Sequence, residues 1–277
     1  MQLGNKKTVI DANSKSLKID FKELFAYRDL FYSLAYREYR SKYAQTSLGL
    51  TWAFIKPISA LLIFTLVFGK FANIGVENYP LYACCGLLPW AYFSSVFVGA
   101  GNSLINNAAM IRKVYFPRLI VPLSKAVIGF IDFLIVLVLV IFFLIYYDYS
   151  FRFELIYLPF YTLLCIVTSL GVGIWLSAIT IKFRDLQQII PFLIQFLLYM
   201  TPVAYPTHMV LDKLPEWGVY LYYLNPLAGI IEGFRWSILG EPILSNMFYV
   251  SFSMSFLLLI SGVIYYKKME KHFTDIL

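Results

Sequence analysis

Residues Leu155 to Ile181 read LIYLPFYTLLCIVTSLGVGIWLSAITI, a run of 27 residues without one charged side chain. About 20 mostly apolar residues cover the hydrocarbon core of a bilayer, so this stretch is long enough to cross it. The flanking sequence repeats the pattern. Asn78–Ile111, Leu186–Leu211 and Pro242–Tyr266 also lack charge, although Asn106-Asn107 is too polar to face lipid. Trp52–Phe71 holds only Lys56 and Lys70, and Leu119–Tyr147 only Lys125 and Asp132. Six candidate spans therefore centre near residues 62, 91, 134, 168, 195 and 255. The 277 residues are 60% hydrophobic and 14% charged, against about 25% charged in a soluble domain. That composition excludes disorder, and runs so long and so numerous exclude an ordinary soluble core.

A seventh stretch, Trp217–Leu239, is apolar but broken at Asn225-Pro226, Gly229, Glu232, Gly233 and Arg235. Proline removes a helix hydrogen bond, and the pieces on either side are too short to span singly. The stretch reads as two short helices dipping into the membrane from one side, over about residues 206–241. The basic residues support this parity. Nine Lys or Arg precede residue 52, and Lys267, Lys268 and Lys271 follow the last span. By the positive-inside rule both termini are cytoplasmic, so the number of crossings is even. Arg112, Lys113, Arg118, Lys125, Lys182, Arg184 and Lys56 fall on the same side, which then holds 19 of 23 basic residues. The net charge of +7 is thus orientation and docking surface, and nucleic acid drops out as a partner. The first 50 residues carry no apolar signal core with a cleavage site.

Before the first span, Phe21, Leu24, Phe25, Phe31, Leu34 and Ala35 recur at helical spacing, with Lys22, Asp29, Ser33, Arg37 and Arg40 on other faces. This predicts a basic amphipathic helix in the inner interface, against lipid, against a partner, or both. Cys84, Cys85 and Cys165 read as small apolar residues. No phosphate-binding loop, metal motif or nucleophile motif occurs, and His208 and His272 fall on opposite sides of the membrane. Asp132 is the one acid inside a full span, with Lys125 two turns away on its own helix face. It is either polar lining or a structural partner of another helix. A lone acid is a poor basis for proton coupling, so any transport requires a separate ATPase. Ser169, Gly173 and Ser177 form a stripe of small residues, which predicts close helix packing within the subunit, with dimerisation the lesser option.

Four segments together resemble the membrane subunit of ABC-2 type polysaccharide exporters, in particular the O-antigen export permeases (the Wzm-like group). They are Lys42-Tyr43-Ala44-Gln45-Thr46-Ser47-Leu48-Gly49-Leu50-Thr51-Trp52-Ala53 with Lys56-Pro57; Asn106-Asn107 through Ile111-Arg112-Lys113-Val114-Tyr115-Phe116-Pro117-Arg118; Phe183-Arg184-Asp185-Leu186 leading to Pro191 and Thr201-Pro202-Val203-Ala204-Tyr205-Pro206; and Asn225-Pro226-Leu227-Ala228-Gly229-Ile230-Ile231-Glu232-Gly233-Phe234-Arg235-Trp236. The resemblance implies an all-α polytopic protein of the bacterial inner membrane. Residues 1–51 form the cytoplasmic N-terminus with the interface helix, 52–266 the transmembrane domain and 267–277 the cytoplasmic tail. It implies a homodimer on two ATP-binding subunits, which hold the ATP and magnesium; this chain binds no cofactor and no metal and is not an enzyme. The implied cargo is a polysaccharide linked to undecaprenyl pyrophosphate, with capsule, teichoic acid, lipid or drug export as the alternative. A membrane glycosyl- or phosphotransferase is the reading from another class, and the scattered acids oppose it.

The resemblance also assigns roles. Residues 104–118 form a coupling helix seated in the ATPase, with Met110, Ile111, Tyr115 and Phe116 as apolar knobs, Arg112 and Lys113 as cationic grip, and Asn107 beside them; an interfacial loop that merely obeys the topology rule is the alternative. Arg184 and Asp185, in a short inner turn, either touch the same partner or cap the adjoining spans. The span 5–6 connection forms periplasmic gate helices, with Tyr205, Asn225, Pro226, Glu232 and Arg235 at the gate. Glu232 and Arg235 are three apart and so face one another on a helix; they are either a self-neutralising pair or, through Arg235, a contact for pyrophosphate or sugar. Aromatic rings offer flat, weak contacts to sugar faces, and Phe64, Phe68, Tyr92, Phe93, Phe97, Phe192, Phe196 and Tyr199 are candidates to line the channel. Lipid contact and the interfacial belts are the competing use for any single ring.

Overall fold

The structure is a computed structural model that describes residues 20–44, 49, 51–243, 246–271 and 273. Residues 45–48 and Leu50 of the first matched segment lie outside the described residues, as does His272. Among the described residues there are helices and turns and no strand.

Two short helices come first, α1 (Phe21–Ala26) and α2 (Arg28–Tyr39), followed by one π-helical turn, Arg40–Ala44. The Asp20 carboxylate starts α1 by accepting the amides of Lys22 and Glu23. The helix predicted as continuous from residue 21 is broken at Tyr27. Helix α3 (Thr51–Phe64) contains Pro57 and runs on as a π-helical segment, Thr65–Phe71. Then come α4 (Tyr79–Gly101), α5 (Ser103–Asn106), α6 (Ala108–Lys113), α7 (Ile120–Tyr146), α8 (Leu158–Lys182, led in by a 3-10 turn at Phe153–Tyr157) and α9 (Leu186–Met200). The chain closes with α10 (His208–Leu211), α11 (Glu216–Tyr223), α12 (Pro226–Leu239) and α13 (Phe248–Glu270).

Among the described residues five helices are long and apolar enough to cross a membrane: Thr51–Phe71, Tyr79–Gly101, Ile120–Tyr146, Phe153–Lys182 and Phe248–Glu270. The stretch read as one span from Leu186 to Leu211 is not a single helix. Helix α9 has 15 residues and stops at Thr201-Pro202. At 1.5 Å per residue it is about 22 Å long, short of a roughly 30 Å core.

Helix α4 is the centre of the fold, largely apolar and buried and packed against α7, α8 and α12. Close approach is made possible by absent side chains. A Cβ on Gly173 would lie 2.8 Å from the Ala100 Cβ, and Ser169 and Ser177 are fully buried, so the small stripe packs within the subunit. On the other side of α8, a Cβ on Gly262 would lie 2.5 Å from the Gly171 carbonyl oxygen of α8, and Thr168 donates to Ser255 Oγ at 2.9 Å. The three cysteines are buried and free.

Candidate functional site: the α4–α6 end and a clamped turn

Three groups of the sequence-selected residues occupy three different places. The first is the end of the molecule where α4 passes through Asn102 into α5 and α6. Asn107 is buried; its amide donates to the Ser103 carbonyl at 2.7 Å, and its oxygen accepts from the Arg37 guanidinium of α2. Ile111 and Phe116 do not project as knobs. Both are buried in a cluster with Leu34, Leu104, Ile181 and Tyr266, because a six-residue helix can hold its position only by burying one face. Met110 is half-buried against the same cluster. Arg112, Lys113, Val114 and Tyr115 are exposed. Val114 escaped the sequence reading, although it stands between two selected residues. The Tyr115 hydroxyl donates to Glu23 of α1 at 3.2 Å, and partial burial together with that carboxylate raises its pKa, so it stays a neutral donor. Arg118 ties the far end of the segment to the Glu270 carbonyl at 2.8 Å.

Arg184 and Asp185 are exposed in the turn between α8 and α9. The capping reading fails for the Asp185 side chain: the residue occupies the N-cap position of α9, but its carboxylate accepts no amide from the helix, since its own backbone is already helical.

The N-terminal segment is fixed beside α7. Lys125 Nζ lies 2.5 Å from Glu38 Oε2, and Lys42 Nζ lies 2.5 Å from Asp132 Oδ2. Tyr43 donates its hydroxyl to the other Asp132 oxygen, and Lys42 also donates to Ser95 Oγ at 3.3 Å. Asp132 is therefore a structural partner, and Lys125 is engaged elsewhere. The amphipathic segment has one covered and one open side. Leu34 and Ala35 are buried against the protein, while Phe21, Phe25, Tyr32 and Tyr36 form an exposed aromatic stripe.

The second group is the aromatics, and they divide. Phe64, Tyr92, Phe93 and Phe97 are buried and Phe68 is half-buried. Tyr92 is core: a Cβ on Gly129 of α7 would lie 3.2 Å from its carbonyl oxygen, so the two backbones are in contact. Phe64 packs edge-on against Phe68 with centroids 6.0 Å apart. These positions remove Phe64 and Tyr92 from any open wall. Phe93 and Phe97 reach a 600 Å³ cavity shared with Tyr205, Trp217 and Tyr222. Phe192, Phe196 and Tyr199 of α9 are exposed along one face at a spacing of four and three.

The third group surrounds the turn after α9. Helix α12 is buried along nearly its whole length, capped at its start by Asn225, whose oxygen accepts the Leu227 amide at 3.1 Å, and closed by left-handed Gly240 at φ +79°. Pro226 takes the first helical position, where its missing amide costs nothing. Glu232 and Arg235 form no ion pair with one another. Glu232 Oε1 accepts from the Tyr223 hydroxyl at 2.7 Å. Arg235 donates to the carbonyls of Val203 at 2.8 Å and Tyr205 at 3.3 Å, and its guanidinium lies 3.8 Å from the centre of the Tyr82 ring. Turn carbonyls with no helix partner outcompete a carboxylate one helical turn away, since Arg reaches two of them at once. Asn225 donates to Thr201 Oγ1 at 2.9 Å, and Tyr79 donates to the Ala204 carbonyl at 2.7 Å. Tyr79, directly, and Tyr82, through Arg235, thus complete a clamp on residues 201–205 that the sequence did not single out. Among the described residues no group of three or more His, Cys, Asp or Glu could hold a metal ion.

Comparison with known proteins agrees with this architecture. Residues 29–239 match the ABC-2 type transporter family. The chain is similar to the O-antigen export system permease protein RfbA of Myxococcus xanthus, 28% identical over 214 residues, 77% of this chain and 82% of the relative. It is also similar to RfbA of Klebsiella pneumoniae, 27% identical over 252 residues, 90% and 95% of the two chains. The polysialic acid transport protein KpsM of Escherichia coli is 23% identical over 205 residues, 72% of this chain and 77% of the relative. With membrane-length helices arranged around α4 and a family match that runs from α2 to the end of α12, the chain belongs to the ABC-2 type transporters, as a membrane subunit.

Proposed function

We propose that this chain is the permease of an ATP-driven exporter that moves lipid-linked O-antigen polysaccharide across the bacterial inner membrane. The observation that carries the reading is similarity to O-antigen export permeases over 90% of the chain. In this reading α9 with its clamped turn is the fifth of six spans, and both termini and 19 of 23 basic residues are cytoplasmic. Residues 52–266 are the transmembrane domain, flanked by the interface segment and the tail.

Arg112, Lys113, Val114 and Tyr115, with Arg184 and Asp185, meet an ATP-binding subunit that holds the nucleotide and magnesium. The exposure of residues 112–115 on a segment fixed by Asn107 and Arg118, and of Arg184 and Asp185 in their turn, supports this use. Two such subunits serve a homodimer of this chain. The exposed rings Phe192, Phe196 and Tyr199 face the partner permease across the glycan path, and Phe68, Phe93 and Phe97 lie deeper along it. Helices α11 and α12 are the periplasmic gate, and Tyr205, Asn225, Pro226, Glu232 and Arg235 hold its turn. The cargo is carried on undecaprenyl pyrophosphate. The chain performs no covalent chemistry and binds no cofactor.

The test is co-expression with an ATPase subunit, reconstitution into vesicles, and assay of ATP-dependent transfer of lipid-linked glycan. Transfer that needs both subunits and ATP is the expected result; transfer without ATP would overturn the reading. The similarity to a polysialic acid transport protein favours a second cargo, a capsular polysaccharide, and the same assay with that polymer separates the two.

A further inference from the structure

A cleft of 510 Å³ opens between the π-turn at Lys42, the start of α3, the middle of α4 and α7. Its lining carries two chemistries: Lys42, Lys56, Lys125, Glu38, Asp132 and the hydroxyl of Ser95 are charged or polar, and most of the other lining residues are apolar, Ala60, Trp90, Val98, Ile128 and Leu198 among them. Both carboxylates are already matched, Asp132 by Lys42 and Glu38 by Lys125, each at 2.5 Å. That leaves Lys56, which is exposed and has no ion-pair partner among the described residues. Ser95 accepts from Lys42 at 3.3 Å, so its own O–H is left to donate into the cleft.

We propose that this cleft binds one anionic phospholipid, its phosphodiester between Lys56 and Ser95 and one acyl chain along the apolar lining residues. The charge is complementary: one unmatched amine meets one singly charged phosphate ester. The position is suitable, because basic pockets between membrane helices on the cytoplasmic side are where acidic headgroups are held. The lining is suitable as well, since a soluble anion has no use for a cleft lined mostly by apolar residues. Leu198 is the α9 residue in the lining, while the exposed rings Phe192, Phe196 and Tyr199 and the turn at residues 201–205 are not part of it, and the assignment holds whatever cargo the chain moves.

Trp90 lines the cleft and is buried, so it reports occupancy. The full chain is reconstituted into phosphatidylcholine vesicles doped with brominated phosphatidylglycerol or with brominated phosphatidylcholine, and emission is compared with that of Trp90→Phe to isolate the Trp90 signal. Trp90 is expected to be quenched at about a fivefold lower mole fraction of the anionic lipid, the preference that one lysine near a membrane surface supplies. Lys56→Gln is expected to abolish that preference and Lys56→Arg to keep it. Because Lys56 is exposed, neither change threatens the fold. Equal quenching by both lipids, or a preference that survives in Lys56→Gln, overturns the proposal. Soluble glycerol phosphate is expected to leave the quenching unchanged; if millimolar glycerol phosphate removes it, the site takes free phosphate and the lipid assignment is overturned.

Discussion

Lys42 and Asp132 are 90 residues apart in sequence, and their charged atoms lie 2.5 Å apart at the side of α7. The pair joins the segment that precedes the first span to the middle of the third. Four residues before Lys42, Glu38 takes Lys125, seven residues before Asp132 on the same face of α7. Later residues pair with later residues, so the segment runs along α7 in the same direction. The Asp132 and Lys42 side chains are 18% and 31% exposed, so the pair is shielded enough for its loss to be felt. Asp132→Ala removes the carboxylate that the Lys42 amine and the Tyr43 hydroxyl share, and a cost of about 1–3 kcal/mol is expected. Thermal unfolding of the purified chain checks this. In a double-mutant cycle, Lys42→Met with Asp132→Leu should cost less than the two single changes summed, because neither charge is then stranded.

Charge reversal at Arg112 and Lys113 is expected to abolish co-purification of the ATP-binding subunit while leaving the chain membrane-inserted and as stable as before. Phe116→Ala should do the opposite. It opens a cavity beneath the same segment at a cost of about 3–5 kcal/mol, and docking falls only as the fold does. Pull-down and thermal unfolding on both variants separate the contact from its support. Unimpaired co-purification of the reversed variant would remove Arg112 and Lys113 from the docking surface.

The exposed aromatic face of α9 predicts a split between function and stability. Phe192→Leu, Phe196→Leu and Tyr199→Leu together should lower glycan export severalfold with an unchanged melting temperature. Tyr92→Leu should lower the melting temperature, because that ring is buried against α7. Export at the wild-type rate in the triple variant would show that these rings serve lipid.

Gly86 of α4 predicts how firmly the turn is held. A Cβ there would lie 2.5 Å from the Val203 carbonyl oxygen and 3.0 Å from the Arg235 guanidinium. Gly86→Ala should therefore push residues 201–205 off α4, costing about 1–3 kcal/mol. Arg235→Lys should not substitute for arginine, since an ammonium cannot bridge two carbonyls and stack on Tyr82 as a planar fork does. A cysteine placed at Val203 should label faster with a soluble maleimide in both variants; protection equal to the parent would argue against the clamp.

Much of this was legible in the sequence. The apolar runs locate all five membrane-length helices, and the Asn225-Pro226 break locates the two short helices on either side of it. Hydropathy reads composition along one axis, however, and the misreadings are relations between distant parts. Lys125 was the nearest cation to Asp132 on its own helix, but a helix pattern says nothing of a lysine arriving from another segment. Glu232 and Arg235 have helical spacing for a pair, yet that spacing cannot show that the carbonyls of Val203 and Tyr205 would lie within reach. The run from Leu186 to Leu211 is uninterrupted in polarity, and its division comes from the backbone demands of Pro202 and Pro206. Ile111 and Phe116 read as knobs because a loop sequence does not reveal which of its apolar side chains faces inward.

Helix α4 has one further consequence. Its C-terminal end passes through Asn102 into the segment held by Asn107, while at its other end Tyr79 grips the turn at Ala204. Its 23 residues make a shaft of about 35 Å. Enclosed by α7, α8 and α12, this shaft is a lever rather than a spring. A tilt of about 5° at the Asn102 end swings the Tyr79 end by about 3 Å, given that length. The hydrogen bond from Tyr79 to Ala204 is 2.7 Å long and does not survive such a swing, so a small torque at one end releases the latch at the other.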